Sequence, residues 1–523
     1  MLFIPHVSFA QNPTNTNDTL NKKNNPDIYE MSIEQLQQLK AVGVSSELEK
    51  LINSLIGVAS KKPLSARESP SIVSLITREE IQKSGARDLI DVLNLVPGID
   101  FGVDVEGIVG IGMRGNWAHE GKVLLLLDGQ EMNEILFGTT QFGNHFAIDQ
   151  IKKIEVIRGP GSAIYGGYAE YGVINIITRD GEDINGATLS ATYGQMQSIS
   201  GTRNINLSAG KKIGDLNVNF SGFIGQANRS DQEFNDLYGG SYDMSKHSRL
   251  DLTNFNLGLT YKDLGFRFIT DQYSVISADG YDAVRIPYKD QFNSSFAELK
   301  YNWKINEKFS ITPKINYKHQ TPWKTEGDST SDPYFKIVDR YTGNLTLSYN
   351  INRKINIIVG GEFYNDQAQD KVDSSYFLNG EQKISYLNEA VFAQALLKYR
   401  LVNIIAGARF DNHSEYGSAF VPRFGLTKKI NKFHFKILYS NSFRAPAIEN
   451  ITYQDSTGIK PEQSRVIELE LGYQLSRRSI LTVNLFDIYT SHTIVYYYLY
   501  TDAYHNVGNT GSRGLELEYK LKD

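Results

Sequence analysis

The chain has no cysteine in its 523 residues, which excludes a disulfide framework, a thiolate metal site and a lipoprotein anchor. It also lacks any uninterrupted apolar run approaching the ~20 residues that a membrane helix needs, so a helical membrane protein is excluded. Proline is scarce at 14 residues. An excess of positive charge is missing too: 54 basic and 59 acidic residues, interspersed, leave a net charge of −5. That argues against a nucleic-acid partner, which would want a basic face. What is abundant is glycine (44), tyrosine (31) and phenylalanine (26), a composition suited to many strands, short turns and aromatic belts at a membrane surface.

The length calls for two or more structural units. Residues 1–10 are apolar and end Ser8-Phe9-Ala10, with polar sequence from Gln11. This fits signal-peptidase cleavage after Ala10; the missing basic start makes it a signal remnant whose beginning lies upstream. Residues 11–57 read as a disordered Asn/Thr/Lys-rich lead followed by short amphipathic helices, with Met31, Ile33, Leu36 and Leu39, then Leu48, Leu51, Ile52 and Leu55, at helical spacing. Residues 58–180 carry a compact α+β pattern. Strands are expected over 72–76, 107–114, 122–127, 154–158 and 173–178. Thr77 and Glu80 form a capping box for one helix, and a second, over 88–95, stops at Pro97-Gly98.

From residue 186 to 523 the period changes to two. Ile467, Leu469, Leu471 and Tyr473 alternate with Glu468, Glu470 and Gly472; Leu515, Leu517 and Tyr519 alternate with Glu516 and Glu518. A soluble sandwich gives the same alternation. The links separate the two: short ones (212–215, 262–265, 306–308, 352–354, near 401, 429–432, 476–478) alternate strictly with long polar ones (227–248, 276–292, 319–335, 365–386, 411–418, 441–463, 490–511). That is an up-and-down outer-membrane β-barrel with tight periplasmic turns and long external loops. About sixteen strands at ~4.8 Å spacing and ~40° tilt give a backbone radius of roughly 16 Å, and twenty-two give roughly 22 Å; side chains remove about 5 Å from each. The ~120-residue unit before the barrel, with an equivalent radius of about 18 Å, overfills the first and matches the second. The sequence is therefore expected to lack about six strands of its barrel, an expectation strengthened by the absence of a terminal aromatic.

The segments DVLNLVPGI (91–99), IGMRG (111–115), VLLLLDG (123–129), IKKIEVIRGPGSAIYG (151–166) and GVINIIT (172–178) resemble the plug of TonB-dependent outer-membrane receptors, as does ESPSIVSLITREEI (68–81). SFRAP (442–446) with KPEQS (460–464), and GLELE (514–518), are similar to barrel elements of the same family. The resemblance runs from about 58 to 523. It implies a 22-strand membrane barrel, about sixteen strands of it present here, with the α+β plug in its lumen. The plug-motif residues are Arg114, Gly115, Asp128, Gly129, Glu155, Arg158, Gly159, Pro160, Tyr165 and Gly166. Arg114 and Arg158 fall at strand ends, where each could pair with barrel-wall carboxylates or within the plug. Gly159 to Gly167 is not a phosphate loop, since no Gly-Lys-Ser/Thr follows, so energy must come from a partner. The family's partner is TonB, and the candidate contact is Ile56, Gly57, Val58, Ala59 and Ser60, alternatively the plug's first strand. Candidate ligand contacts are Trp117, His119, Phe137, Phe142 and His145 at the plug apex, the histidines either touching a chelated metal or standing by. The tyrosine run 496–500 is either interface belt or ligand-stacking surface.

Together these imply energy-coupled uptake of a ferric siderophore, haem or cobalamin into the periplasm. Other partners are an extracellular small molecule and outer-membrane lipid. No cofactor is intrinsic, and a metal enters only within a transported chelate. Uptake of oligosaccharide or peptide, or surface binding and signalling without translocation, are the alternatives. An enzyme is not expected, because no catalytic grouping and no metal-ligand motif appear.

Overall fold

The computed structural model describes residues 51–52, 55–59, 64–104, 106–236, 239–276, 289–326, 333–497 and 501–522. The signal remnant, most of the lead with its amphipathic helices, Ser60 and Tyr498 to Tyr500 lie outside the described residues.

Sixteen long strands, with the short Trp303–Lys304 segment, form one sheet running from Gly186–Gln195 to Asn509–Leu521. Every neighbouring pair is antiparallel. The sheet is inside out relative to a soluble protein. Along Glu462–Gln474, Glu462, Ser464, Glu468 and Glu470 are buried, while Ile467, Leu471 and Tyr473 are exposed. Along Asn509–Leu521, Leu515 and Leu517 are each 63% exposed and Glu516 is buried. A sandwich would bury the apolar row, so this polarity, which period two alone could not supply, selects the membrane barrel.

Two-residue hairpins close the short-link end at Lys262-Asp263 and Asn431-Lys432. Lys262 (φ 51°) and Asn431 (φ 52°) take the left-handed conformation that matches the twist of the flanking strands. One expected long link is absent. Strands Asn403–His413 and Gly417–Ile430 pair up to His413 opposite Gly417, so the connection at 411–418 shrinks to three residues. The polar stretch there is strand, its wet side facing the lumen.

Inside the barrel lies a five-stranded mixed sheet in the order Val73–Thr77, Ile151–Arg158, Gly172–Thr178, Val123–Leu127, Gln130–Glu131. Gly172–Thr178 pairs parallel with Val123–Leu127, and the other pairs are antiparallel. Asp128 and Gly129, both at positive φ, make the tight turn into the last strand. Thr77 and Glu80 form the expected reciprocal cap on helix Arg78–Ser84, and Asp88 caps Leu89–Leu93. Leu89, Val92 and Leu93 face the core. A second small sheet joins Ile99–Val103, Val109–Met113 and Asn116–Trp117. Ile154, Val156, Ile174 and Ile176 share one apolar cluster with Ile269, Phe296, Val466, Phe486 and Ile488 of the barrel. The plug therefore completes its core against the wall.

Candidate functional site

Motif residues from distant parts of the chain meet where plug and wall touch. Arg114 sits at positive φ (52°) after its strand, which turns the side chain out of the small sheet toward the barrel. Its guanidinium, fully buried, donates to Glu468 (2.7 Å) and by two nitrogens to Glu516 (3.0 and 3.2 Å). It also lies over the Phe486 ring at 4.5 Å. Arg158 donates to the same Glu516 (2.8 Å) and to Glu518 (3.4 Å). Of the two readings left open by the sequence, both arginines take the wall carboxylates. Gly159 fits this seam because a Cβ would stand 3.1 Å from the Glu468 carboxylate. Asp128 also crosses to the wall, accepting from Asn256 (2.8 Å) and pairing with Arg267 (3.0 Å), while its oxygens hold Thr178.

The turn after the long plug strand abuts the SFRAP segment. Gly166 is at φ 82°, and a Cβ there would meet Arg409 at 3.0 Å; at Gly167 a Cβ would come within 2.4 Å of the Ala445 Cβ. The Ala445 amide donates to the Gly167 carbonyl (3.1 Å), and the Ser442 hydroxyl to the Glu170 carbonyl (2.8 Å). Arg444 pairs with Glu462 (2.9 Å) and Glu120 (3.3 Å), and Lys122 reaches Glu462 from the plug (3.0 Å). Burial and the neighbouring Glu462 charge push the Glu170 carboxyl up to about 7.

The candidate partner-contact segment is held down. Ile56, Val58 and Ala59 are almost fully buried, in a cluster with Leu75, Leu124 and Ile157. The Val58 amide donates to Glu155 (3.2 Å), the Tyr165 hydroxyl to the Val58 carbonyl (2.9 Å) and Arg423 to the Ala59 carbonyl (3.3 Å). Leu55 and Ile56 pair with Leu64 and Ser65 as a two-stranded hairpin. In this state Ile56 ends a two-residue strand, Val58 and Ala59 form the turn after it, and the described part of the segment is sequestered.

The five apical candidates separate. Trp117 is 43% exposed. Phe137 is half-buried against Trp323, ring centroids 5.5 Å apart. The other three do not face outward. Phe142 packs edge-on to Phe101 inside the plug. His119 is buried, 3.2 Å from Asp104. His145 lies between plug and wall, stacked on Tyr273 at 4.2 Å and bonded to Asp271 (2.8 Å) and the Gln141 carbonyl (2.7 Å). Burial opposes its proton, but the Asp271 charge and hydrogen bond raise its pKa above the ordinary imidazole value. Its helix-free apical loop is packed against lumen-facing side chains, which the sequence could not place. Tyr496 and Tyr497 belong to an external hairpin pairing Ile494–Tyr497 with Ala503–Asn506, beyond the long strands.

An external helix, Ile448–Thr452, rests on the apex, the Glu449 amide donating to the Leu136 carbonyl (2.9 Å). The Glu449 carboxyl accepts from Tyr334 (2.6 Å) and Tyr376 (2.9 Å). Burial pushes it up to about 7, although both hydroxyls oppose the shift. Beneath it, the buried Glu134 carboxylate accepts from the amides of Leu136, Phe137 and Thr139. Sequence reading missed Glu449, Glu468, Asp271 and Lys122. The first gave no motif signal; the glutamate at 468 was legible as lumen-facing, but not its partner.

Among known proteins, a family model described as "TonB-dependent Receptor Plug Domain" matches residues 65–173. Another, "TonB dependent receptor-like, beta-barrel", matches 320–522. A vitamin B12 transporter of Vibrio vulnificus is 24% identical over 426 residues, 76% of this chain and 64% of the relative. One from Vibrio cholerae is 25% identical over 85% of this chain and 71% of the relative. An iron-regulated outer membrane virulence protein of Vibrio cholerae is 24% identical over 86% of this chain and 70% of its own. The chain thus spans about two thirds of these relatives' length. Among solved structures, a ferric enterobactin receptor mutant of Pseudomonas aeruginosa superposes with TM-score 0.71 at 17% identity, covering 89% of this chain and 79% of that one. An iron transporter of Neisseria meningitidis gives 0.70 at 17%, covering 87% and 78%.

Proposed function

The chain belongs to the TonB-dependent receptors, outer-membrane β-barrels with an internal plug, and from that premise we propose that it carries out energy-coupled uptake of a scarce nutrient into the periplasm. The nutrient is a ferric siderophore, haem or cobalamin; the relatives named as vitamin B12 transporters support cobalamin, and the one named as an iron-regulated outer membrane virulence protein supports an iron source.

The observation that carries this reading is the way the plug fills the lumen. Arg114 and Arg158 tie it to Glu468, Glu516 and Glu518 in buried pairs, and Ile154, Val156 and Ile176 pack on inward wall residues. Withdrawing one partner of such a pair while the other charge stays buried costs about 3–5 kcal/mol. Work must therefore be done on the plug. TonB supplies it by drawing on the segment Ile56 to Ser60, of which Ile56, Val58 and Ala59 must first leave the cluster with Leu75 and Ile157. Ligand approaches from outside through the external loops to Trp117 and Phe137.

The test is accumulation of radiolabelled cyanocobalamin, haem and a ferric siderophore by cells expressing the receptor, with and without TonB. Surface binding in both strains and accumulation only with TonB are expected. Accumulation that is the same without TonB would refute the proposal.

A further inference from the structure

The chain that follows the candidate TonB segment is fastened to one patch of the lumen wall. Arg423 and Thr427 lie on the lumen-facing row of strand Gly417–Ile430, and Lys436, directly opposite Thr427 in register, lies on strand Phe433–Arg444. All three are buried. Arg423 donates to the carbonyls of Ala59 (3.3 Å) and Pro70 (2.9 Å), Thr427 to that of Glu68 (3.2 Å), and Lys436 to those of Ala66 (2.7 Å) and Ser71 (3.0 Å). From the plug, Tyr165 adds its bond to the Val58 carbonyl (2.9 Å). The fastened stretch answers with Arg67, which donates to the Lys432 carbonyl (2.7 Å) at the short-link end of the wall, and with Leu64, which packs on Leu396 and Ile405.

The wall thus grips this stretch mainly by its main-chain carbonyls. These are the atoms a partner also needs, because a protein that captures an extended segment by strand addition pairs with its main-chain N–H and C=O groups. At Val58 and Ala59 the two uses exclude each other. The fastening also shortens the leash. With the chain held at Ala66, Ala59 travels at most about 25 Å from its anchor; with the chain free as far as Ser71, about 40 Å. The grip differs in kind from the seam at Arg114. Among the described residues no carboxylate pairs with Arg423, and Lys436 has a partner in Glu470 (3.0 Å) that is independent of the fastened stretch. Its withdrawal therefore splits no buried ion pair at these residues, and water entering the lumen replaces the carbonyls. This stretch can leave the wall before the ion-paired seam breaks.

Resting on the uptake reading and its TonB contact, we infer that Arg423, Thr427 and Lys436 form a clamp on the main chain of residues 59 and 66–71 that competes with TonB for the segment. The receptor then offers itself to its partner only when the clamp is open. These are positioning residues, acting through the chain they hold rather than on the cargo. A segment free in only a fraction of molecules lowers the apparent TonB affinity by that fraction, and weakening the clamp raises it.

The experiment is equilibrium binding of the TonB periplasmic domain to the full chain in detergent, without cargo. Hydrogen exchange is followed in the same samples at Glu68 and Ser69, whose amides bond to the Ser65 carbonyl. Arg423→Ala removes the bonds to Ala59 and Pro70, and should tighten TonB binding about tenfold and speed that exchange. Thr427→Val, close in size and so sparing the fold, removes the bond to Glu68 and should act in the same direction by a smaller factor. Arg423→Lys keeps a charged donor and should fall between Arg423→Ala and the wild type. Asn204→Ala cuts a plug tie on another strand, Asn144 to Asn204 at 2.9 Å, and should change neither readout, which separates a clamp from general loosening of the plug. TonB affinity unchanged in both Arg423→Ala and Thr427→Val, or raised equally by Asn204→Ala, overturns the inference; the uptake reading stands so long as wild-type accumulation requires TonB. TonB binding to no form of the receptor overturns the inference as well, and accumulation that is the same without TonB takes the uptake reading with it.

Discussion

Replacing Arg114 by alanine should unseat the plug. The guanidinium is fully buried and donates three hydrogen bonds, one to Glu468 and two to Glu516. Without it Glu516 keeps Arg158 at 2.8 Å, but Glu468 faces the lumen beside the Glu516 charge with no cation bonded to it among the described residues. Removing one partner of a buried pair costs about 3–5 kcal/mol, most of it the penalty of the charge left behind. That is a factor of roughly 10² to 10³ in the balance between seated and unseated plug. The assay is urea titration in detergent at a concentration that leaves the barrel intact, with protease cleavage of the plug as the readout. Arg114→Ala should be cleaved at markedly lower urea than the wild type. Arg114→Lys should fall between, because it keeps the charge and loses the planar fork. Arg114→Met combined with Glu468→Gln should recover much of the loss, since Glu516 stays paired with Arg158 and no unpaired charge remains. Equal protection of Arg114→Ala and wild type would refute the reasoning, because the pair would then contribute nothing to seating.

Other outcomes follow from the same contacts. Gly167→Ala places a methyl 2.4 Å from the Ala445 Cβ and 3.0 Å from its amide nitrogen, so it should destabilise the plug–barrel seam by about 1–3 kcal/mol, read as a lower urea midpoint. Glu449, raised to about 7 by burial, contributes docking stability that is complete below the ordinary carboxylate range and is lost as pH rises through about 7. Tyr334, Tyr376, Lys336 and Glu134 act on it most strongly, and Tyr386, Tyr453 and Tyr504 also feel its charge. Proteolysis of the external helix should therefore increase from about pH 5 to about pH 8, and Glu449→Gln should flatten the profile. Deleting residues 56–60 should abolish uptake and leave surface binding intact; loss of both would show that the segment's packing on Leu75 and Ile157, rather than a TonB contact, is its role. Tyr165→Phe, which removes the hydroxyl on the Val58 carbonyl, should release the segment more readily by about 0.5–1.5 kcal/mol, seen as faster hydrogen exchange at Val58.

The barrel was legible because period two is a local property: residues 462–474 and 509–521 reveal two faces without knowledge of their neighbours. Which face lines the lumen followed once the links had identified a membrane barrel, and the structure buries the glutamate face there. The plug helices were equally legible through Thr77, Glu80 and Asp88, whose caps involve residues at most three apart. Strand Ile99–Val103 went unseen although Ile99, Phe101 and Val103 alternate with Asp100 and Gly102, because five residues containing a glycine carry a weak local preference that pairing with Val109–Met113 makes good. The partners of Arg114 lie 354 and 402 residues away, beyond anything spacing can specify. The facing of His145 had the same cause. Its loop has no periodicity, and Asp271 and Tyr273, which turn the ring inward, belong to a strand 126 or more residues on.

The most direct test of uptake through a moving plug is to lock that plug. Asn116 on the plug and Ser512 on the wall are in contact, the amide donating to the hydroxyl at 2.9 Å, and the chain offers no cysteine to compete. An Asn116→Cys, Ser512→Cys receptor should, once oxidised in cells, bind ligand on the surface and accumulate none, with accumulation restored by a reductant. Undiminished accumulation by the fully cross-linked receptor would contradict the mechanism.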